Sequence, residues 1–93
     1  ETAGFPPSII SPLSSTTYIL RPQDERRNRI VLLAGADQDS GDIFWFANTL
    51  FLGRAKPYER FLWQAEPGLW DITAVDSQGR SAGLRVNVEL EPR

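Results

Sequence analysis

The chain has 93 residues, room for one domain with a modest core, and its 41% apolar and 24% charged residues suit a folded rather than a disordered chain. Ten lysines and arginines against twelve aspartates and glutamates leave a net charge of -2, the wrong sign for a domain that gains affinity from phosphates, so no nucleic-acid partner is expected. Histidine and cysteine are both absent, which excludes Ser-His-Asp and Cys-His catalysis, disulfides and the usual zinc ligands. No run approaches the roughly 18 apolar residues of a membrane span. The N-terminus lacks the basic and apolar regions of a signal peptide, so no membrane contact by these residues is expected. Methionine is missing even from position 1, which reads as a processed chain or a piece of a longer one.

In chain order, residues 1–12 are rich in proline and small side chains, and Ile9 and Ile10 ahead of Ser11 and Pro12 predict an entry segment ending in an edge strand, because proline cannot donate to a ladder. Thr16 to Leu20 is β-branched and aromatic and predicts a short strand, followed by a polar loop from Pro22 to Asn28. Arg29 to Gly35 holds the apolar run Ile30, Val31, Leu32, Leu33, Ala34, which predicts a central strand covered on both faces. After a polar turn at Asp37 to Asp42, Ile43 to Ala47 and Leu50 to Gly53 predict a hairpin around Asn48 and Thr49. Arg60 to Ala65 sets Phe61, Trp63 and Ala65 against Arg60, Leu62 and Gln64, and Pro67 with Gly68 turns the chain. Leu69 to Val75 sets Trp70, Ile72 and Ala74 against Asp71, Thr73 and Val75, ending in a β-turn at Asp76 to Gly79. The last strand directs Leu84, Val86, Val88 and Leu90 one way and Arg85, Asn87 and Glu89 the other. Short strands at this spacing predict an all-β fold, an immunoglobulin-like β-sandwich of about seven strands formed by the single domain 1–93, with a small open barrel as the alternative.

Candidate chemistry is sparse. Asp37 to Asp42 alternates carboxylates with a glycine, but a calcium loop starting at Asp37 needs glycine sixth and glutamate twelfth, where Asp42 and Asn48 stand. Lys56 is the sole lysine and has no serine three residues before it, so a Ser-x-x-Lys acylation site is absent. The pairs Asp24 with Glu25 and Glu89 with Glu91 read as solvated charge. No catalytic residue, metal ligand or cofactor is expected.

Two groups remain as candidate surfaces. Arg21, Arg26, Arg27 and Arg29 form a basic run interrupted by Asp24 and Glu25, with Arg26 and Arg27 placed to meet an anionic polymer or an acidic partner. Alternation puts Trp45 on one face with Ile43 and Ala47, and Phe44 and Phe46 on the other, where Leu62 and Val75 of other strands would join them. One set packs the core. The other lies under the proline-rich N-terminal segment or presents rings to a sugar or a protein, since each ring covers a large area at small entropic cost.

Taken together, Ile9 to Pro12 with Tyr18 to Leu20, Ile43-Phe44-Trp45-Phe46-Ala47-Asn48 followed by Leu52-Gly53, Phe61-Leu62-Trp63, and the run from Pro67 to Arg80 resemble the C-terminal domain of bifunctional penicillin-binding proteins of the 1C type. The likeness runs from about Pro7 to Val88 and departs at Asn48-Thr49, where a glycine is expected in the turn. It implies a non-catalytic accessory domain in the periplasm, part of an inner-membrane-anchored enzyme whose other domains polymerise and cross-link glycan strands. The catalytic motifs of those domains, Ser-x-x-Lys, Lys-Thr-Gly and Ser-x-Asn, are absent from this sequence. The partners it implies are the transpeptidase domain of the parent chain or a periplasmic cell-wall protein. The alternative is a carbohydrate-binding module for the glycan strands of peptidoglycan, read by Trp45, Trp63 and the arginine loop.

Overall fold

The computed structural model describes residues 4–24 and 28–92, so the Arg26 and Arg27 expected in a binding surface lie outside the described residues. Among the described residues eight strands form: β1 (Ser8–Ser11), β2 (Thr17–Leu20), β3 (Arg29–Gly35), β4 (Ile43–Ala47), β5 (Leu50–Ala55), β6 (Phe61–Gln64), β7 (Gly68–Val75) and β8 (Ser81–Leu90), with one 3-10 turn at Gln38–Ser40. They make two sheets, a three-stranded one in the order β1-β3-β6 and a five-stranded one in the order β2-β8-β7-β4-β5. The fold is the all-β, immunoglobulin-like sandwich that the strand spacing predicts.

Alternation builds the core. From the five-stranded sheet Ile43, Trp45 and Ala47 of β4, Ile72 and Ala74 of β7, and Val86 and Val88 of β8 point inward. They meet Ile30, Leu32 and Ala34 of β3 and Trp63 of β6 from the other sheet. Trp70 closes one end of this core, edge-on to Trp63 at 5.4 Å between ring centroids and 85° between planes.

Two strand expectations change. The Ile30 to Ala34 run does occupy the centre of its sheet, but it is covered on one face only, and Val31 and Leu33 on the other are half-buried. Both sides are apolar because neighbouring side chains shield the outer one in part, which a continuous apolar run cannot distinguish from full cover. Leu90, expected inward with Val86 and Val88, is exposed. β7 begins opposite Val88, so Leu90 runs past it and pairs only with Leu20 of β2. That β2–β8 pairing is parallel, whereas every other pairing is antiparallel.

The turns follow local chemistry. Asn48, standing where a glycine is expected, takes φ 54. Asparagine is among the few residues that tolerate this left-handed region, and here its Oδ1 accepts a 2.8 Å hydrogen bond from the Asp71 backbone N–H. At the β7–β8 turn Gly79 takes φ 86. The buried Asp76 carboxylate organises this turn, accepting from the backbone N–H of Gln78 and of Arg80, each at 2.9 Å, and from Arg80 Nε at 2.7 Å. Arg80 also reaches Asp39 Oδ1 at 2.9 Å, tying the turn to the loop before β4.

Candidate functional site

The outer face of the five-stranded sheet gathers what inward packing leaves over. Phe44 and Phe46 project from β4 opposite Trp45, as alternation requires, and both are half-buried. Across the β4–β5 hairpin Phe51 stands opposite Phe46, because a register shift lets Gly53 face Trp45 and Phe51 face Phe46. The three rings pack on one another, Phe44 to Phe51 at 6.4 Å and Phe46 to Phe51 at 5.4 Å, tilted by 38° and 55°. On the other side of β4, Val75 pairs with Phe44 and Thr73 with Phe46. Phe51 remains 52% exposed.

Beyond Thr73 the face drops into a trough. Thr73 pairs with Gly83, which has no side chain to fill the row, and Asp71, Thr73, Gly83 and Arg85 border an open space of about 450 Å³. Arg85 Nε donates to Asp71 Oδ1 at 2.8 Å across the same strand pair. That hydrogen bond, helped by the charge of Arg85, holds the Asp71 carboxyl below the usual aspartate range against a smaller effect of burial, and Asp71 in turn raises Arg85. A second exposed pair, Arg54 to Asp42 at 3.7 Å, lies on the β5 side of the rings. The face therefore runs from an exposed ion pair, across an apolar shelf, into a small polar trough.

The expected surface is brought together in part. Phe44, Phe46 and Val75 meet as the sequence suggests. Leu62 does not join them: it stands on β6, paired with Val31, and faces outward from the three-stranded sheet on the far side of the sandwich. Alternation fixes the face of a residue within its strand but says nothing about which sheet the strand enters. Nor does the N-terminal segment cover the rings, since β1 pairs with β3 in the opposite sheet. Trp45 and Trp63, proposed readers of glycan, are 1% and 5% exposed and belong to the core. Trp70 is committed as well, its Nε1 donating to the Glu66 carbonyl at 2.8 Å. Sequence reasoning missed Phe51, Gly83 and the Asp71–Arg85 pair. Cross-strand pairing through the hairpin would have pointed to Phe51, but the shift at Gly53 hides the register.

No group of three or more acidic side chains among the described residues is placed to hold a metal ion. Among the same residues no helix is long and apolar enough to cross a membrane.

Among solved structures the chain resembles the fibronectin(III)-like modules of Clostridium thermocellum CbhA, with a TM-score of 0.67 and 16% sequence identity over 94% of this chain and 99% of that one. This likeness speaks for the fold alone. A comparison with curated proteins gives no match. The sequence model of the Penicillin-Binding Protein C-terminus Family matches residues 1–88, nearly the whole sandwich from the entry segment to Val88. The chain belongs to the penicillin-binding protein C-terminus family.

Proposed function

We propose that the chain is a non-catalytic accessory domain of a bifunctional peptidoglycan synthase of the 1C type, held in the periplasm as part of an inner-membrane-anchored protein. Its aromatic face contacts a protein, either the transpeptidase domain of the same synthase or a periplasmic cell-wall protein. Family membership supports the setting, and the packed rings of Phe44, Phe46 and Phe51 carry the argument for the contact. Their mutual tilt presents edges and faces together, which suits interdigitation with apolar side chains. A sugar ring stacks best on a flat, open aromatic face, and the indoles that could supply one are turned inward or engaged. The test is Phe46→Ser with Phe51→Ser in the complete synthase. The exchange should free the domain from its contact, seen as new protease sensitivity around it or loss of a co-purifying protein, while the 93-residue chain carrying the same changes still unfolds cooperatively. A domain that stays docked contradicts the reading.

A second reading, glycan recognition, is favoured by one observation, the trough beside the rings. Asp71 and Arg85 offer acceptors and donors there, and Gly83 leaves space next to an apolar shelf. Co-sedimentation with purified sacculi tests it. Gly83→Val would fill the trough without forcing the backbone, since an added Cβ meets nothing closer than the Ile72 carbonyl at 3.4 Å. Retention that Gly83→Val removes supports glycan binding, and its absence in the unaltered chain rejects it.

A further inference from the structure

A sandwich of two open sheets has four edges, and three are blunted. β1 carries a register shift between Ile9 and Ser11 and lies between Pro7 and Pro12. β5 carries Arg54 and its own irregularity at Gly53. β2 ends at Leu20, two residues before Pro22, and the cation that follows it, Arg21, is already answered by Glu91 at 3.6 Å. These are the usual protections against unwanted strand pairing. β6 has none of them within its span, and the charge that flanks it is Arg60. Its four residues, Phe61-Leu62-Trp63-Gln64, hold no charge, proline or bulge, and β3 is its one hydrogen-bonded strand partner among the described residues, with the inward Phe61 ring lying against Gly53 of β5. Leu62 is 52% exposed.

The side chains around this edge carry a pattern. On the outer face of the sheet, Arg29 pairs with Gln64 and Val31 with Leu62, and alternation puts Arg60 on the same face one step further, beside Leu33. Neither Arg29 nor Arg60 has a carboxylate partner among the described residues. The edge itself thus reads Arg60, Leu62, Gln64, and Arg29 stands one strand behind Gln64, so two cations flank the apolar centre although the whole chain is acidic.

We propose that the open edge of β6 accepts an added β-strand from a partner protein, an extended acidic segment whose outward residues read acidic, apolar, acidic at alternate positions. Backbone hydrogen bonds to β6 supply the pairing. Leu62 and Val31 receive the central apolar side chain, and Arg60 and Arg29 meet the two carboxylates, Arg29 reaching past Gln64 over strands spaced about 4.8 Å apart. A second copy of the chain fits less well. Antiparallel self-pairing about Leu62 sets Arg60 of one copy in the row that already holds Gln64 and Arg29 of the other, so like charges accumulate. This surface lies on the sheet opposite the aromatic face and does not depend on the reading proposed for that face.

The test uses the 93-residue chain and a synthetic peptide of threonines with glutamate, valine and glutamate at alternate central positions, followed by backbone amide NMR. The glutamate peptide should shift the amides of residues 61–64 saturably. A peptide with lysines in place of the glutamates should bind at least about tenfold more weakly, since it places like charges together. Arg29→Glu with Arg60→Glu should invert that preference. N-methylation of the peptide backbone should abolish binding, whereas Phe46→Ser with Phe51→Ser should leave it unchanged. The proposal is overturned if the glutamate peptide gives no saturable shifts, if both peptides bind equally, or if the chain instead dimerises through β6 in a way that Leu62→Lys abolishes.

Discussion

β4 carries bulky aromatics on both of its faces, and the two faces do different work. Trp45 points inward and is 1% exposed among Ile72, Ala74 and the residues of the opposite sheet. Phe44 and Phe46, one residue either side, point outward and find only each other's neighbour Phe51 and the small residues of β7. The same chemical type therefore stabilises the fold on one face and leaves apolar surface partly open to solvent on the other. An outer sheet face facing solvent alone would ordinarily alternate to polar residues. The departure from that rule in β4, and its observance in β8, where Arg85, Asn87 and Glu89 face outward, is what supports the contact proposed for this face.

Four changes would break or sharpen this contrast, in decreasing order of effect. Trp45→Ala empties the centre of the core and should cost about 3–5 kcal/mol, enough to abolish cooperative unfolding in a denaturant titration. Asp76→Asn comes next, because it removes the buried carboxylate that three donors address and leaves Arg80 with Asp39 as its remaining carboxylate. Burial works to raise the pKa of Asp76, but the hydrogen bonds from the backbone and side chain of Arg80 and from Gln78 outweigh it, so the carboxyl sits below the ordinary value of 3.8. A lowered folded pKa contributes stability that is full above the unfolded value and is lost as the pH falls through the folded one. Melting temperature should therefore drop on the acid side of pH 4, and Asp76→Asn should flatten that limb while lowering the plateau. Phe51→Ser should cost less than about 1 kcal/mol, as exposed substitutions do, yet weaken the partner contact. A large loss of stability instead would place that ring in the core. Asp71→Asn should leave the melting curve unchanged, even though its 2.8 Å pair with Arg85 is nearly as short as the 2.7 Å pair of Asp76 with Arg80. The exposed pair is solvated on both sides, and only the buried one replaces water.

Much of the fold was legible because strands announce themselves by alternation and turn residues. The hairpin around Asn48, the turn at Gly79 and the inward sets of β4, β7 and β8 all follow from local pattern. What was not legible is how strands are shared between sheets. The chain crosses from the three-stranded sheet at β1 to the five-stranded sheet at β2, where it pairs in parallel with β8, and no local signal marks that switch. The misplacement of Leu62 has the same origin. The candidate face was half legible: Phe44, Phe46 and Val75 share a face by alternation and pairing, whereas Phe51 depends on the irregular register at Gly53. Gly83 matters through the side chain it lacks, which no residue pattern advertises.

The claim that the aromatic face is a protein contact is tested most directly by a photoreactive phenylalanine analogue in place of Phe51 in the complete synthase. The account predicts a cross-link to the transpeptidase domain or to a single separate protein, lost when Phe46 is changed to serine, and no such cross-link from the same analogue at Asn87 on the polar part of the same sheet. Equal cross-linking from both positions, or labelling of glycan alone from position 51, would contradict it.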